Sequence, residues 1–413
     1  MPLFEQNWVG QVLWMILFFS FILLYPKYML YRMIAEMEAV ANTLEGYTKK
    51  AVNIILKTAK EKGKAETDKE QKQVVEDALE FFLIGPVDLD PYGILKKIEY
   101  LLDEAEDRFE NLSSTLAPGA DRVWRANMIS LLKGGIGLNI IAKTVRHYVE
   151  FVKKTGNFQM AMLIQMSLPM IKRIAKAQMK GVEAISKGKP IGDSIGPLVA
   201  ATMVKGGNGR EVAKDVICHE IEVDGHQVMV LKANGPGAAL GKLGDAVKKV
   251  CRDNKVAKII TVDASLKLEG EKTGKVAEGV GAAIGDPGPE KAKIESAAME
   301  HKIPLEAYAI KMSIEEAISP LTKPIGASVD RAIKLIEESI KRTRGEGKVV
   351  VVGVGNTCGI GNNYEAVKDL KFPEKKEEKK PETLTDKIIK AMVKPPQKKP
   401  RRPKKKKARA RPR

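Results

Sequence analysis

The apolar and polar positions of this chain fall into four textures. Residues 7–26 hold 20 consecutive positions without a charge, including the run WVGQVLWMILFFSFILLY. At 1.5 Å per residue such a helix covers roughly the 30 Å hydrocarbon core of a bilayer, so the pattern predicts one membrane span in contact with lipid. Trp8, Trp14, Tyr25, Tyr28 and Tyr31 supply candidates for its interfacial aromatic belt. From residue 28 to about 186, apolar residues recur at spacings of three and four, the helical period. Breaks are expected near Gly63, at Gly85 and Pro86, at Pro118 and Gly119, and at Thr155 and Gly156. The segment LLKGGIGLNIIA in this region is short for a span and interrupted by glycines, so it reads as buried or interfacial.

After the polar run KGKP the texture changes again. HQVMVLKA, AKIITVDA, PLEAYAIKM and KVVVVGVG have the character of strands, and AALGKLGDAVKKVCRDN and ASVDRAIKLIEESIKRT that of amphipathic helices. Strands alternating with helices predict an α/β domain, a three-layer arrangement with a mostly parallel sheet. The fourth texture, KKEEKKPETLTDKIIKAMVKPPQKKPRRPKKKKARARPR, is rich in Lys, Arg and Pro and cannot bury a core, so a disordered basic tail is expected. The resulting division is a transmembrane anchor over residues 1–30, a helical region over 31–187, an α/β domain over 188–372 and the tail over 373–413.

Composition sharpens this outline. With 413 residues, two domains plus extensions are expected. Aromatic content of 5% favours helices and an open sheet over an all-β sandwich. Cys218, Cys251 and Cys358 share no close spacing, and His147, His219, His226 and His301 are scattered, which argues against a disulfide framework and histidine-rich zinc chemistry. No motif specifies a cofactor. Of the net charge of +18, residues 374–413 carry +13, from 18 Lys and Arg against 5 Asp and Glu, leaving +5 for the body. Lys27 and Arg32 follow the apolar run and no basic residue precedes it, so the N-terminus is expected outside and the bulk in the cytoplasm. A cleaved signal peptide would need a basic start and a small-residue cleavage site, and Glu5 stands where the basic start would be. The tail suits a polyanion, either anionic lipid or RNA, and RNA on a ribosome is the partner expected of a protein already fixed to the membrane. A solubilising tail is the plain alternative.

Candidate chemistry gathers in three glycine-rich loops expected at one edge of the sheet: NGPGAALG, VDASLKLEGEKTG and GVGNTCGIGNN. The amides around Gly235 and Gly237 could cradle a phosphate, with Asp263 on a ribose hydroxyl, although Pro236 lacks an N–H. Glycines that merely permit tight turns are the simpler reading. Asp263, at a strand end, either caps the following turn or faces the crevice where ligands of open α/β sheets bind, and in IGDSIGPLVA Asp193 reads as a plain N-cap of the helix that begins near Ile195.

The segments GDSIGPLVA, LKANGPGAALGKL and IITVDASL resemble those of hydrogenase-maturation peptidases and spore germination proteases. Those families place one acid in a turn opening the first helix and another at a strand end. The resemblance implies that Asp193 and Asp263 are a catalytic acidic pair, acting as acid and base or as two ligands of a metal that activates water. The metal-dependent members take a third ligand from a histidine on a later strand. Here that stretch, AYAIKMSIEE, offers Lys311, which could neutralise the pair or bind an anion. Glu269 and Glu271 are spare carboxylates. In those families the VVVVGVGN-like strand precedes the acidic turn, whereas here it comes last, at residues 348–362. A circular permutation would restore it to the sheet centre and bring Asn356 to both carboxylates. The whole chain also resembles an uncharacterised archaeal family with the same order of parts, through VDASLKLEGEKTG, EGVGAAIGDPGPEK and GVGNTCGIGN. Two functions follow as expectations: a peptidase-like hydrolase, or a tethered scaffold that binds RNA or ribosomes through its tail.

Overall fold

A computed structural model describes residues 8–64, 69–86, 93–207, 209–285 and 288–374; the basic tail lies outside the described residues. The helical region comprises α1 (Trp8–Gly63), α2 (Lys69–Ala78), α3 (Ile94–Leu116), α4 (Arg122–Thr155) and α5 (Phe158–Ile185). The boundary expected at residue 30 falls inside α1, which continues unbroken through Pro26. Its first part exposes its large apolar side chains, among them Leu13, Trp14, Phe19 and Leu24. Burial begins at Met33 and recurs at Met37, Ala41 and Leu44, the spacing of one helical face.

Helix α4 runs antiparallel to α1, and its charged positions fix the register. Arg146 Nε donates to Glu45 at 2.7 Å and Lys153 Nζ to Glu38 at 3.0 Å. Asp121 caps the start of α4 by accepting from Trp124 N–H at 2.8 Å. Gly156, in the left-handed conformation at φ 61°, ends it. Asn157 then accepts from Met160 N–H and starts α5 within two residues. Helices α1 and α4 are both long and apolar enough to cross a membrane. Almost half of the apolar window of α4 is buried, and the LLKGGIGLNIIA segment places Leu131, Leu132 and Leu138 in the helical core.

A single 3-10 turn, Gly192–Ser194, leads into α6 (Ile195–Met203) and the α/β domain. There follow β1 (Arg210–Ala213), β2 (Val216–Val223), β3 (His226–Ala233), α7 (Leu243–Asp253), β4 (Val256–Leu266), β5 (Val276–Val280), α8 (Pro289–Glu300) and β6 (Leu305–Met312). The remainder is α9 (Ile314–Ala317), α10 (Lys323–Gly326), α11 (Val329–Lys341), β7 (Lys348–Gly353) and α12 (Tyr364–Val367). The seven strands lie in the order β1-β2-β3-β7-β4-β6-β5. Strands β3, β7, β4 and β6 form a parallel centre, while β1, β2 and β5 pair antiparallel at the edges, so the sheet is mixed around a parallel core.

Helices cover both faces. Val351 and Val230 point to one face, packing with Leu198 of α6 and Ile336 of α11. Val350 and Met229 point to the other, with Val247 of α7 and Ile294 of α8. Such continuous apolar runs are what strands buried on both sides require. The carboxyl ends of β3 and β7 dock on the start of α4: Asn127 Oδ1 accepts from Ala238 N–H at 2.9 Å and Ser130 Oγ donates to the Ala238 carbonyl at 2.9 Å. Cys358 is buried in the helical core itself.

Ile336 is fully buried on α11 and its neighbour Lys334 is exposed. Ile336→Ala should therefore cost about 2–5 kcal/mol in a denaturant titration. Lys334→Ala should stay within about 0.5 kcal/mol.

Candidate functional site

The carboxyl edge of the sheet is built around an approach of two backbones that leaves no room for side chains. Gly355, just after β7, has φ 129°, and a Cβ there would lie 2.0 Å from the Asp193 carbonyl oxygen. A Cβ at Gly196, in the first turn of α6, would lie 2.1 Å from the Val354 carbonyl oxygen. Only glycine tolerates both the left-handed backbone and the contact. The turn carrying Asp193 is thereby pressed against the end of the central strand. Asp193 Oδ2 accepts from Asn356 N–H at 2.8 Å, across 163 residues of sequence. The cap of α6 expected from Asp193 is not formed: Ser194 occupies the cap position and no side chain bonds there.

Asp263 sits near the end of β4 and is 3% exposed. Its Oδ1 accepts from Ala264 N–H at 2.6 Å and its Oδ2 from Gly285 N–H at 2.8 Å. The Gly285 segment lies over it because Thr261 Oγ1, one step back on the same face, accepts from Ala283 N–H at 2.8 Å. Burial pushes the Asp263 carboxyl well above the usual range, and the neighbouring Asp193 charge adds to the rise against the lowering effect of the two amides. Asp193 keeps some residue surface, but its carboxyl is enclosed; burial raises its pKa, opposed by the Asn356 amide. Among the described residues no lysine, arginine or histidine pairs with either acid, so two carboxyls share a low-dielectric site without a counter-ion.

Asn356 serves the pair through its backbone. Its side-chain Oδ1 accepts from Cys358 N–H at 2.9 Å and so folds back into the loop. Lys311 is directed elsewhere: its ammonium donates to Ser265 Oγ at 3.3 Å and the Leu266 carbonyl at 3.2 Å, not to either acid. Glu271 ties its own turn by accepting from Leu268 N–H, and Glu269 is exposed beside it.

The loop holding Gly235 and Gly237 does not open a helix, since α7 starts only at Leu243. Its donors are committed within the protein: Gly235 N–H to Asn362 Oδ1 at 2.9 Å, Ala238 N–H to Asn127, and Ala239 N–H to the Gly237 carbonyl at 2.8 Å. Gly237 packs on Val123 and Ala126 of α4. With the amides of Gly235, Ala238 and Ala239 spoken for, the loop keeps few of the N–H groups that a phosphate cradle would use. No group of three or more His, Cys, Asp or Glu that could hold a metal occurs among the described residues.

Sequence reasoning passed over Lys232. It is 1% exposed at the end of β3, and its ammonium donates to the Ala233 carbonyl and to Asn362 Oδ1, each at 2.8 Å, with no carboxylate partner among the described residues. Burial, assisted by the charge of Arg122, lowers its pKa to about 7. The lysine shares a strand face with Val228 and Val230, and that placement within an apolar alternation was the available signal. His219 lies on the adjacent strand, buried, with Nδ1 unpartnered and its pKa lowered by burial and by Lys232.

Two family models match the chain: a protein of unknown function (DUF1512) N-terminal domain over residues 11–188, and a domain of unknown function (DUF1512) C-terminal over residues 191–361. The chain belongs to the DUF1512 family. The junction between the two DUF1512 matches falls at Lys189 and Pro190, the linker between α5 and the turn that carries Asp193. No curated protein and no solved structure matches the chain.

Two titrations test this geometry. Asp193→Asn removes one charge, so Asp263 should titrate at lower pH than in the parent, as read by carboxyl NMR. The variant should also be more stable near neutral pH. Because both folded-state pKa values are raised, the gain should fade as pH falls toward the ordinary aspartate value of about 3.9, where the parent pair is protonated. Lys232 has the opposite sign: a folded pKa of about 7 means the unfolded chain binds more protons above that pH. Parent stability should rise from about pH 7 to about 10, and Lys232→Met should lack that rise in denaturation at matched pH values.

Proposed function

We propose that the chain is a membrane-anchored hydrolase that cleaves an amide bond with Asp193 and Asp263 as its acid and base. The observation that carries this reading is the shared, counter-ion-free enclosure of the two carboxyls, which raises both pKa values and raises Asp263 the more. Two carboxyls that cannot both ionise at low cost divide into one acid and one base. Asp263 keeps its proton and Asp193 gives one up first.

In the reaction Asp193 takes a proton from water as the water oxygen bonds to the carbonyl carbon. Asp263 gives its proton to the departing nitrogen as the carbon–nitrogen bond breaks. The Asn356 amide positions Asp193, and the Ala264 and Gly285 amides hold Asp263. Support also comes from the likeness of GDSIGPLVA and IITVDASL to the maturation and germination peptidases. The place of β7 between β3 and β4, beside the Asp193 turn, suits a circularly permuted relative of that fold. The apolar, outward-facing start of α1 is the anchor in this reading, with the N-terminus outside and the α/β domain in the cytoplasm.

Full-length protein in detergent should release new peptide termini from unfolded polypeptide substrates, read by mass spectrometry. Asp193→Asn and Asp263→Asn should each slow this by about 10²–10⁴-fold, the usual contribution of a positioned acid or base. A double variant that matches the parent in turnover rejects catalysis by this pair.

A further inference from the structure

Beside the Asp193 turn lies a basic cleft of about 620 Å³ that the proposed chemistry does not use. Lys180 and Lys187 enter it from the end of α5, Lys189 from the linker and Lys371 from the segment after α12, against a single acid, Glu183. Lys187, Lys189 and Lys371 are exposed, and none bonds a carboxylate among the described residues. Below the ammonium groups the lining is apolar, with Leu321 buried and Phe372 packed on Gly326.

The cleft and the acidic pair share one stretch of backbone. Ile191 forms an antiparallel bridge with Pro320, the Pro190 carbonyl accepts from Leu321 N–H at 2.9 Å, and Gly192 N–H donates to the Ser319 carbonyl at 2.9 Å. Pro190 lines the cleft and Asp193 follows three residues on, in the 3-10 turn. An extended ligand lying in the cleft would run beside the turn that carries Asp193.

We infer that this cleft binds an acidic, extended polypeptide segment of the substrate and presents the adjoining bond to Asp193 and Asp263. The inference rests on the hydrolytic reading above and names the substrate class for it. The exposed ammonium groups of Lys187, Lys189 and Lys371 call for carboxylates, and the apolar lining calls for apolar side chains between them. A single-stranded nucleic acid would need aromatic platforms for its bases, and the one aromatic ring lining the cleft is already packed on Gly326. The chain's own C-terminal segment is a poor occupant, because residues 374–413 carry +13, the same sign as the cleft.

The test uses full-length protein in detergent with Asp193→Asn and Asp263→Asn in place, so that binding is read without turnover. Fluorescence anisotropy would follow a labelled peptide of alternating Glu and Leu, a Lys and Leu counterpart, and a single-stranded RNA of similar length. Adding Lys187→Glu, Lys189→Glu and Lys371→Glu should weaken the acidic peptide by about tenfold or more, from three surface charges of up to about 1 kcal/mol each. Unchanged affinity would mean that the tail alone binds the probe, and overturns the inference. RNA or the basic peptide held more tightly, with the same dependence on the three lysines, also overturns it. Lysine-dependent binding without hydrolysis by the Asp-bearing parent would leave the cleft standing and remove the hydrolytic reading.

Discussion

The architecture of the candidate site depends on one contact, the closure of the Asp193 turn onto the backbone that leaves β7. Gly355 and Gly196 remove the side chains that would separate the two segments, and the Asn356 amide then reaches the Asp193 carboxylate. Without that closure α6 would stand off from the sheet and Asp193 would be an ordinary surface acid near a helix start. With it, Asp193 is enclosed near Asp263, whose ionisation is opposed first by burial and then by the Asp193 charge. A fold that leaves two acids in this relation forgoes stability at neutral pH.

The energetics on either side of this contact have different origins. On the helical side, α1 and α4 are matched by a core stripe and by charged pairs such as Arg146 with Glu45. On the sheet side, apolar faces on both surfaces of β7 and β4 do the work, through α6 and α11 on one face and α7 and α8 on the other. The two cores meet where the loops after β3 and β7 enter the start of α4, and buried Cys358 belongs to the helical one. The loops that flank the candidate site are therefore packed on the helical region rather than simply linked to it.

Much of this was legible in the sequence. The four central strands are long apolar runs, and HQVMVLKA coincides with β3 over His226–Ala233. Strands β1, β2 and β5 escaped because they are short or half-polar, although Asp224 and Gly225 at the β2–β3 turn are the usual signal for a two-residue hairpin. Asp193, Asp263 and Asn356 could be singled out, since acids and glycines at strand ends stand out locally. What a linear reading could not supply was partnership. Only the packed chain tells that Lys311 serves Ser265, that Asn362 takes the amide of Gly235, and that Lys232 is buried without a carboxylate.

The unbroken length of α1 sets a distance. From Lys27, where the apolar run ends, to Gly63, beside the docking face of the α/β domain, 36 residues of helix extend about 54 Å at 1.5 Å each. Were the apolar end set in a bilayer, a helix of that length would act as a strut rather than a leash and hold the α/β domain well clear of the lipid headgroups.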